Sequence, residues 1–299
     1  MMKRMLPLVL AFLLLLSGCC GGEAAETSAP TETTQPVTTE ATQPETEPTE
    51  VTEPELLPSV LWNENLLRWD FLEVLGVSRS SVKSVTFLAN RKEAPADAVE
   101  LTAGTGSVLG WVRDGVHVFV AADRGINGAE AAPGLFEDCV SLESVTFGDA
   151  FRVDLAQSLT GMFRGCVSLR SVDTRRLVTS GVTDMSSLFE GCMSLTSVDV
   201  AQWDTSAVMD MTWMFRGCMS LEDLAVDGWN VEKVQFLDSL FEGCTSLRQL
   251  DLSGWKADAA QSMSGMFMDC VSLRTIGSFP KDHDAMDDTT FSGCGVLNP

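Results

Sequence analysis

The chain has 299 residues, 45% hydrophobic and 21% charged, which is enough apolar material for a sizeable core. A formal charge of −22, from 20 Lys and Arg against 42 Asp and Glu, argues against nucleic-acid binding, because phosphate contact draws its affinity from clustered basic residues. Only two histidines occur, His117 and His283, neither in a triad or zinc spacing, so neither enzymatic activity nor a cofactor nor a metal is expected.

Residues 1–18 have the layout of a signal peptide: Lys3 and Arg4 precede an apolar run from Met5 to Leu16. That run is shorter than the roughly 20 residues a spanning helix needs. Leu16-Ser17-Gly18-Cys19 resembles the bacterial lipobox, in which the Cys is acylated before cleavage. The resemblance implies that Cys19 carries a lipid anchor and that the protein is exported, facing outside the cytoplasm at the cell surface. Cys20 has no assignable role. Residues 19–55 then form a tether, since Glu23 to Glu55 hold nine Glu, ten Thr, five Pro and no Lys or Arg. Such a composition cannot bury enough apolar area to offset chain entropy. An O-glycosylated stalk is compatible with the same composition, but a solvated spacer is the simpler reading.

Residues 56–128 read as an N-terminal cap of mixed α and β structure. Apolar residues Leu66, Leu67, Trp69, Phe71, Leu72, Val74 and Leu75 predict an amphipathic helix over Asn63 to Leu75, stopped by Gly76. Val82, Val85 and Phe87 predict a strand, and Val108 to Val112 with Val116 to Val120 predict a hairpin around Asp114-Gly115. Asp114, His117, Asp123 and Arg124 are the only clustered titratable groups that an enzyme reading could use.

Residues 129–299 repeat. The pattern Phe-x-x-Cys recurs at Phe136, Phe163, Phe189, Phe215, Phe241, Phe267 and Phe291, with spacings of 27, 26, 26, 26, 26 and 24. Seven copies at a near-constant period predict an α/β solenoid of about seven 26-residue coils, each burying its apolar face against its neighbours. Within one unit, Asp184 to Cys192 reads as a short helical turn closed by Gly191 in the left-handed conformation, with Asp138 and Asp269 at the equivalent positions elsewhere. Leu195-x-x-Val198-x-Val200 reads as a strand, with Val198 and Val200 inward and Asp199 outward. Where ordinary leucine-rich repeats place Asn three residues later, this chain has Leu177, Trp203, Trp229 and Trp255. Lys281 to Asp288 is a polar C-terminal cap.

The units DMSSLFEGCMSLTSVDVAQWDTSAV and DMTWMFRGCMSLEDLAVDGWNVEKV resemble the BspA-like leucine-rich-repeat surface proteins, in their mycoplasma-lipoprotein-type variant. The resemblance covers residues 129 to 299 and implies an exported bacterial surface protein with adhesive or protein-binding roles and no catalytic residues. Phe236 and Ser262 depart from the pattern, because they replace an Asp of the repeat.

The repeats therefore supply a structural ladder and a candidate face. The ladder is Phe163, Phe189, Phe215, Phe241 and Phe267; Cys166, Cys192, Cys218, Cys244 and Cys270; and Trp203, Trp229 and Trp255. The cysteines read as buried thiols acting as small hydrophobes, because equal spacing without a C-x-x-C pair disfavours zinc and parallel side chains disfavour disulfides. The tryptophans could offer a carbohydrate-stacking platform, but a core column is favoured. Asp282, Asp284, Asp287 and Asp288 could attract Ca²⁺, although they lack the Gly and Glu of a known loop. The candidate binding face is Asp173, Asp199, Asp223, Arg248 and Asp251 on outward strand positions. The expected role is a monomeric, lipid-anchored surface protein that binds a protein or glycan; the alternative is a passive spacer of the cell envelope.

Overall fold

The computed structural model describes residues 64–130, 132–279 and 283–295, all within the unit Pro54–Pro299. The signal peptide, Cys19, the tether, Lys281 and Asp282 lie outside the described residues. Among the described residues no helix is long and apolar enough to cross a membrane.

The N-terminal part is a mixed sheet. Strands β1 (Ser84–Leu88), β2 (Val99–Glu100), β3 (Leu109–Arg113), β4 (His117–Ala121), β6 (Ser144–Thr146) and β8 (Ser171–Asp173) lie in the order β2-β3-β4-β1-β6-β8. The first three neighbours, β2, β3 and β4, pair antiparallel, and β4, β1, β6 and β8 pair parallel. A second, two-stranded sheet joins β5 (Ile126–Asn127) to β7 (Phe151–Arg152). Asp114-Gly115 makes the expected hairpin turn: φ is 52° and 73°, and Val116 N–H donates to Arg113 C=O at 3.2 Å. Because β1 pairs on one side with β4 and on the other with β6, a single core runs through the 128/129 boundary, from Leu67 to Cys294.

The helix predicted over Asn63 to Leu75 is shorter than expected. Only α1 (Phe71–Val74) is helical, with Gly76 at φ 69° after it. Leu66 and Leu67 are diverted into bridges with Asn127 and Thr102, where Leu67 N–H donates to Asn127 C=O at 2.9 Å. Their backbone groups are thereby unavailable to a helix.

The repeat units also differ locally from the strand-plus-helical-turn expectation. The segment expected as a helical turn divides its amide groups between two directions. Leu159, Gly161, Phe163 and Gly165 donate to the carbonyls of Asp184, Ser186, Leu188 and Glu190 in the next unit at 2.7–3.0 Å, while Met162, Arg164 and Cys166 donate back three residues within their own unit. The pattern continues through Ser187, Phe189 and Gly191, then Trp213, Phe215 and Gly217, then Ser239, Phe241 and Gly243. Each unit needs two left-handed residues four apart to do this, such as Ser187 (φ 55°) and Gly191 (φ 72°), and they break any α-helix. The left-handed conformation expected at the Gly191 position is present, including at Asp138 (φ 56°) and Asp269 (φ 58°).

The strand ladder ends at β8. Beyond it, the segments at Leu195–Val200, Leu221–Val226 and Leu247–Leu252 carry no strand; Glu222 N–H and Arg248 N–H reach the preceding unit at 3.4 Å, whereas Leu250 N–H and Arg274 N–H bond across the last pair of units at 2.9 Å around a Gln249–Thr275 bridge. Between the units before Gln249, bonds of 3.4 Å mark a spacing too wide for a continuous ladder. The ring columns spread in the same sense: phenylalanine centroids repeat at 5.2–5.9 Å, tryptophan centroids at 6.2–6.4 Å. The units before Gln249 are thus tied together chiefly through their turn segments, which leaves the backbone around Val198 and Leu224 open.

Candidate functional site: the outward face

Alternation of burial along each extended segment separates a core face from an outward face. In the sheet, one row is His117, Ser84, Ser144 and Ser171 in register, and the next is Trp111, Phe119, Thr86, Thr146 and Asp173. The later units continue the alternation: Val198, Leu224 and Leu250 are buried, and Ser197, Asp199, Asp223, Gln249 and Asp251 are exposed. The outward position expected for Asp199, with Val198 and Val200 inward, is what the burial shows.

Across the last three of these units the face is concave. A groove of about 760 Å³ has Leu224 and Leu250 in its lining together with Asp223 and Asp251, and it ends at Thr275 and Gly277. Gly277 is required there. Its φ is 64°, and a β-carbon on it would lie 2.6 Å from Asp251 Oδ1, so any side chain would displace the carboxylate from the groove wall.

The five predicted face residues do not act alike. Asp223 and Asp251 both line the groove. Asp251 Oδ1 accepts from Ser253 N–H at 3.0 Å, and the hydrogen bonds from Ser253 hold its carboxyl below the usual carboxylate range. Asp223 accepts no hydrogen bond and forms no ion pair among the described residues. Asp173 is already neutralised by a two-bond clasp from Arg175, at 2.9 and 2.8 Å, and those bonds depress its pKa. Asp199 Oδ1 reaches only Ala201 N–H, at 3.4 Å. Arg248 turns to Glu222 of the preceding unit at 3.6 Å, an exposed pair of small energetic weight.

The apolar ladder is core. Trp203, Trp229 and Trp255 are buried, and each indole Nε1 donates to a carbonyl of the preceding unit, Thr174, Val200 and Val226 respectively. Buried Trp of this kind satisfies its one donor and offers no face to a sugar. The seven described cysteines are all free and buried. From Cys166 to Cys294 each Sγ donates to the carbonyl of the phenylalanine one unit back, at 2.9–3.2 Å.

Other candidate clusters do not converge. His117 Nδ1 is engaged with Ser84 Oγ at 2.8 Å, Asp123 pairs with Arg91, and Asp114 and Arg124 sit in turns at φ 52° and 76°. Asp287 accepts hydrogen bonds from Thr289, Thr290 and Ser264. Among the described residues no group of three or more His, Cys, Asp or Glu side chains could hold a metal.

Two features of the face were not read from the sequence. Leu224, Leu250, Thr275 and Gly277 complete the groove, and the outward series Asp173, Asp199, Ala225, Asp251 and Gly277 does not single them out. At the sheet end, Trp111 and Phe119 stack at 5.5 Å with Arg113 over Phe119 at 4.6 Å. The cross-strand pairing that assembles them follows from the hairpin register, not from their separate positions in the chain.

Residues 151–281 match a family described as Mycoplasma protein of unknown function, DUF285. The similarity is to a mycoplasma-type repeat family and spans the units that carry the groove. No curated protein and no solved structure matches the chain.

Proposed function

We propose that the chain is an exported, lipid-anchored bacterial surface protein that binds a protein or glycan through the outward face of its repeats, without catalysis. In this reading the repeats wind as a leucine-rich-repeat solenoid of the BspA-like type. Cys19 supplies the anchor and residues 19–55 hold the array away from the membrane. Three observations support it: the family match over residues 151–281, the hydrogen bonds that recur from unit to unit, and the groove. The groove carries the functional part, because it combines an apolar floor with two carboxylates that no described cation neutralises.

The test is retention of the purified full-length protein on envelope fractions and on a panel of extracellular proteins and glycans. Saturable retention lost in the double variant Asp223→Lys, Asp251→Lys is the expected result. Absence of retention by every fraction at micromolar protein would favour the passive spacer instead.

A further inference from the structure

The groove opens where the backbones of neighbouring units part. Toward the C-terminal end the segments stay joined: Gln249 and Thr275 form a parallel bridge, and Leu250 N–H donates to Thr275 C=O at 2.9 Å. One unit earlier, the backbone link between residues 222–226 and 248–252 is a single bond among the described residues, from Arg248 N–H to Glu222 C=O at 3.4 Å. Leu224 N–H and C=O and Ala225 N–H meet no partner among the described residues. Both segments line the groove, through Asp223, Leu224 and Ala225 and through Gln249, Leu250 and Asp251. One cavity thus gathers open main-chain groups, two leucines and two carboxylates.

Its charge is one-sided. Asp223 has no hydrogen bond or ion pair among the described residues, and Asp251 is held by Ser253 N–H at 3.0 Å. No Lys or Arg is in the lining, and Arg248, next to Gln249 in the chain, is paired with Glu222 at 3.6 Å. The chain as a whole carries −22, so an acidic partner is repelled. A neutral sugar would take water from two carboxylates without returning a counter-charge. A basic peptide returns it, and in extended form it presents one N–H and one C=O per residue to the open main chain.

We propose that the groove binds an extended peptide segment carrying Lys or Arg. The main chain of the peptide bonds to Leu224 and Ala225, its cationic side chains pair with Asp223 and Asp251, and an aliphatic side chain rests on Leu224 and Leu250. The inference rests on the reading of the groove as the binding face, and it narrows the partner to a cationic segment of a protein.

The test is fluorescence anisotropy of a labelled decapeptide built of Lys, Val and Ser, titrated with the full-length protein beside the same peptide with Glu in place of Lys and a panel of neutral oligosaccharides. Saturable binding of the Lys peptide at low salt is expected, falling as salt rises, with none of the Glu peptide. Asp223→Asn with Asp251→Asn, which keeps an oxygen for the Ser253 amide, should weaken it about tenfold. Ala225→Asp places a third carboxylate in the lining and should strengthen it about threefold. Asp97→Asn, at an exposed position in the N-terminal cap, should change nothing. The proposal is overturned if the Lys peptide does not bind, or if its binding is indifferent to both the double Asn variant and Ala225→Asp, which marks general attraction to an acidic chain. If in either case an oligosaccharide binds and is lost in Asp223→Lys with Asp251→Lys, the groove remains the site and the peptide alone is removed. Absence of binding by every probe and every envelope fraction removes both.

Discussion

Arg79 closes the open end of the repeat array through Glu137: its Nη1 donates to the Glu137 carbonyl at 2.9 Å, and also to those of Leu135 at 3.2 Å and Gly134 at 3.3 Å. In a later unit the equivalent carbonyls, Leu188 and Glu190, accept from Phe163 and Gly165 of the unit before. The first unit has no predecessor. One guanidinium from the N-terminal cap takes the place of a missing backbone segment.

Arg79→Met should therefore cost about 2 kcal/mol of stability, since it strands the carbonyls of Leu135 and Glu137, while Gly134 C=O keeps the Glu137 amide. Urea unfolding of the full-length protein checks this, with Arg79→Lys recovering part of the loss. A midpoint equal to wild type for Arg79→Met would show that the cap holds without this bond.

The left-handed glycine column makes a second, graded prediction. A β-carbon on Gly217 would meet Gly191 Cα at 3.7 Å, an ordinary contact, so only the φ of 72° opposes substitution. Gly217→Asn should cost under about 1 kcal/mol and Gly217→Val about 2 kcal/mol or more, because Asn tolerates this region and a β-branched residue does not. Equal effects of the two would point to space rather than conformation.

The thiol ladder should be chemically silent in the native protein. Burial pushes the Cys139 thiol up to about 11 and the Cys244 thiol up to about 12, and raises Cys166, Cys192 and Cys218 as well. At pH 8, alkylation followed by mass spectrometry should leave these five unmodified until denaturant is added. Labelling of Cys192 or Cys218 in the folded protein would contradict the packing.

Asp287 provides a pH signature near the C-terminal end. Hydrogen bonds from Thr289 and Ser264 hold its carboxyl down to about 2, below the ordinary value of 3.8. A lowered folded pKa gives stability that is complete above the unfolded value and lost as pH falls through the folded one. The effect of Asp287→Asn on the urea midpoint should be present at pH 5 and shrink between about pH 4 and 2. A difference constant across that range would remove the ionised form from the explanation.

Much of this architecture was legible because it depends on local rules. Asp138 and Asp269 standing in for glycine marked the left-handed position, and Val198-Asp199-Val200 marked the inward and outward faces. The difference between a helical turn and two successive tight turns was not legible. Met185, Leu188, Phe189 and Cys192 have the same apolar spacing in either, and the deciding residue, Ser187 at φ 55°, is marked only indirectly, by Gly134, Gly161 and Gly265 at the equivalent positions. The groove was half legible: Asp223 and Asp251 follow from alternation, but its concavity depends on spacing among three units, which no single segment encodes.

Turn segments hold the array together, while the side chains of the opposite face stay free to bind. Amide hydrogen exchange of the full-length protein, alone and with whichever fraction retains it, tests this most directly. The amides of Phe163, Phe189, Phe215 and Phe241 should exchange slowest throughout, those of Val198 and Leu224 should exchange fast in the free protein, and the ligand should protect residues 223–226, 249–252 and 275–277. Fast exchange at the phenylalanines, or protection by the ligand only outside those three segments, would contradict it.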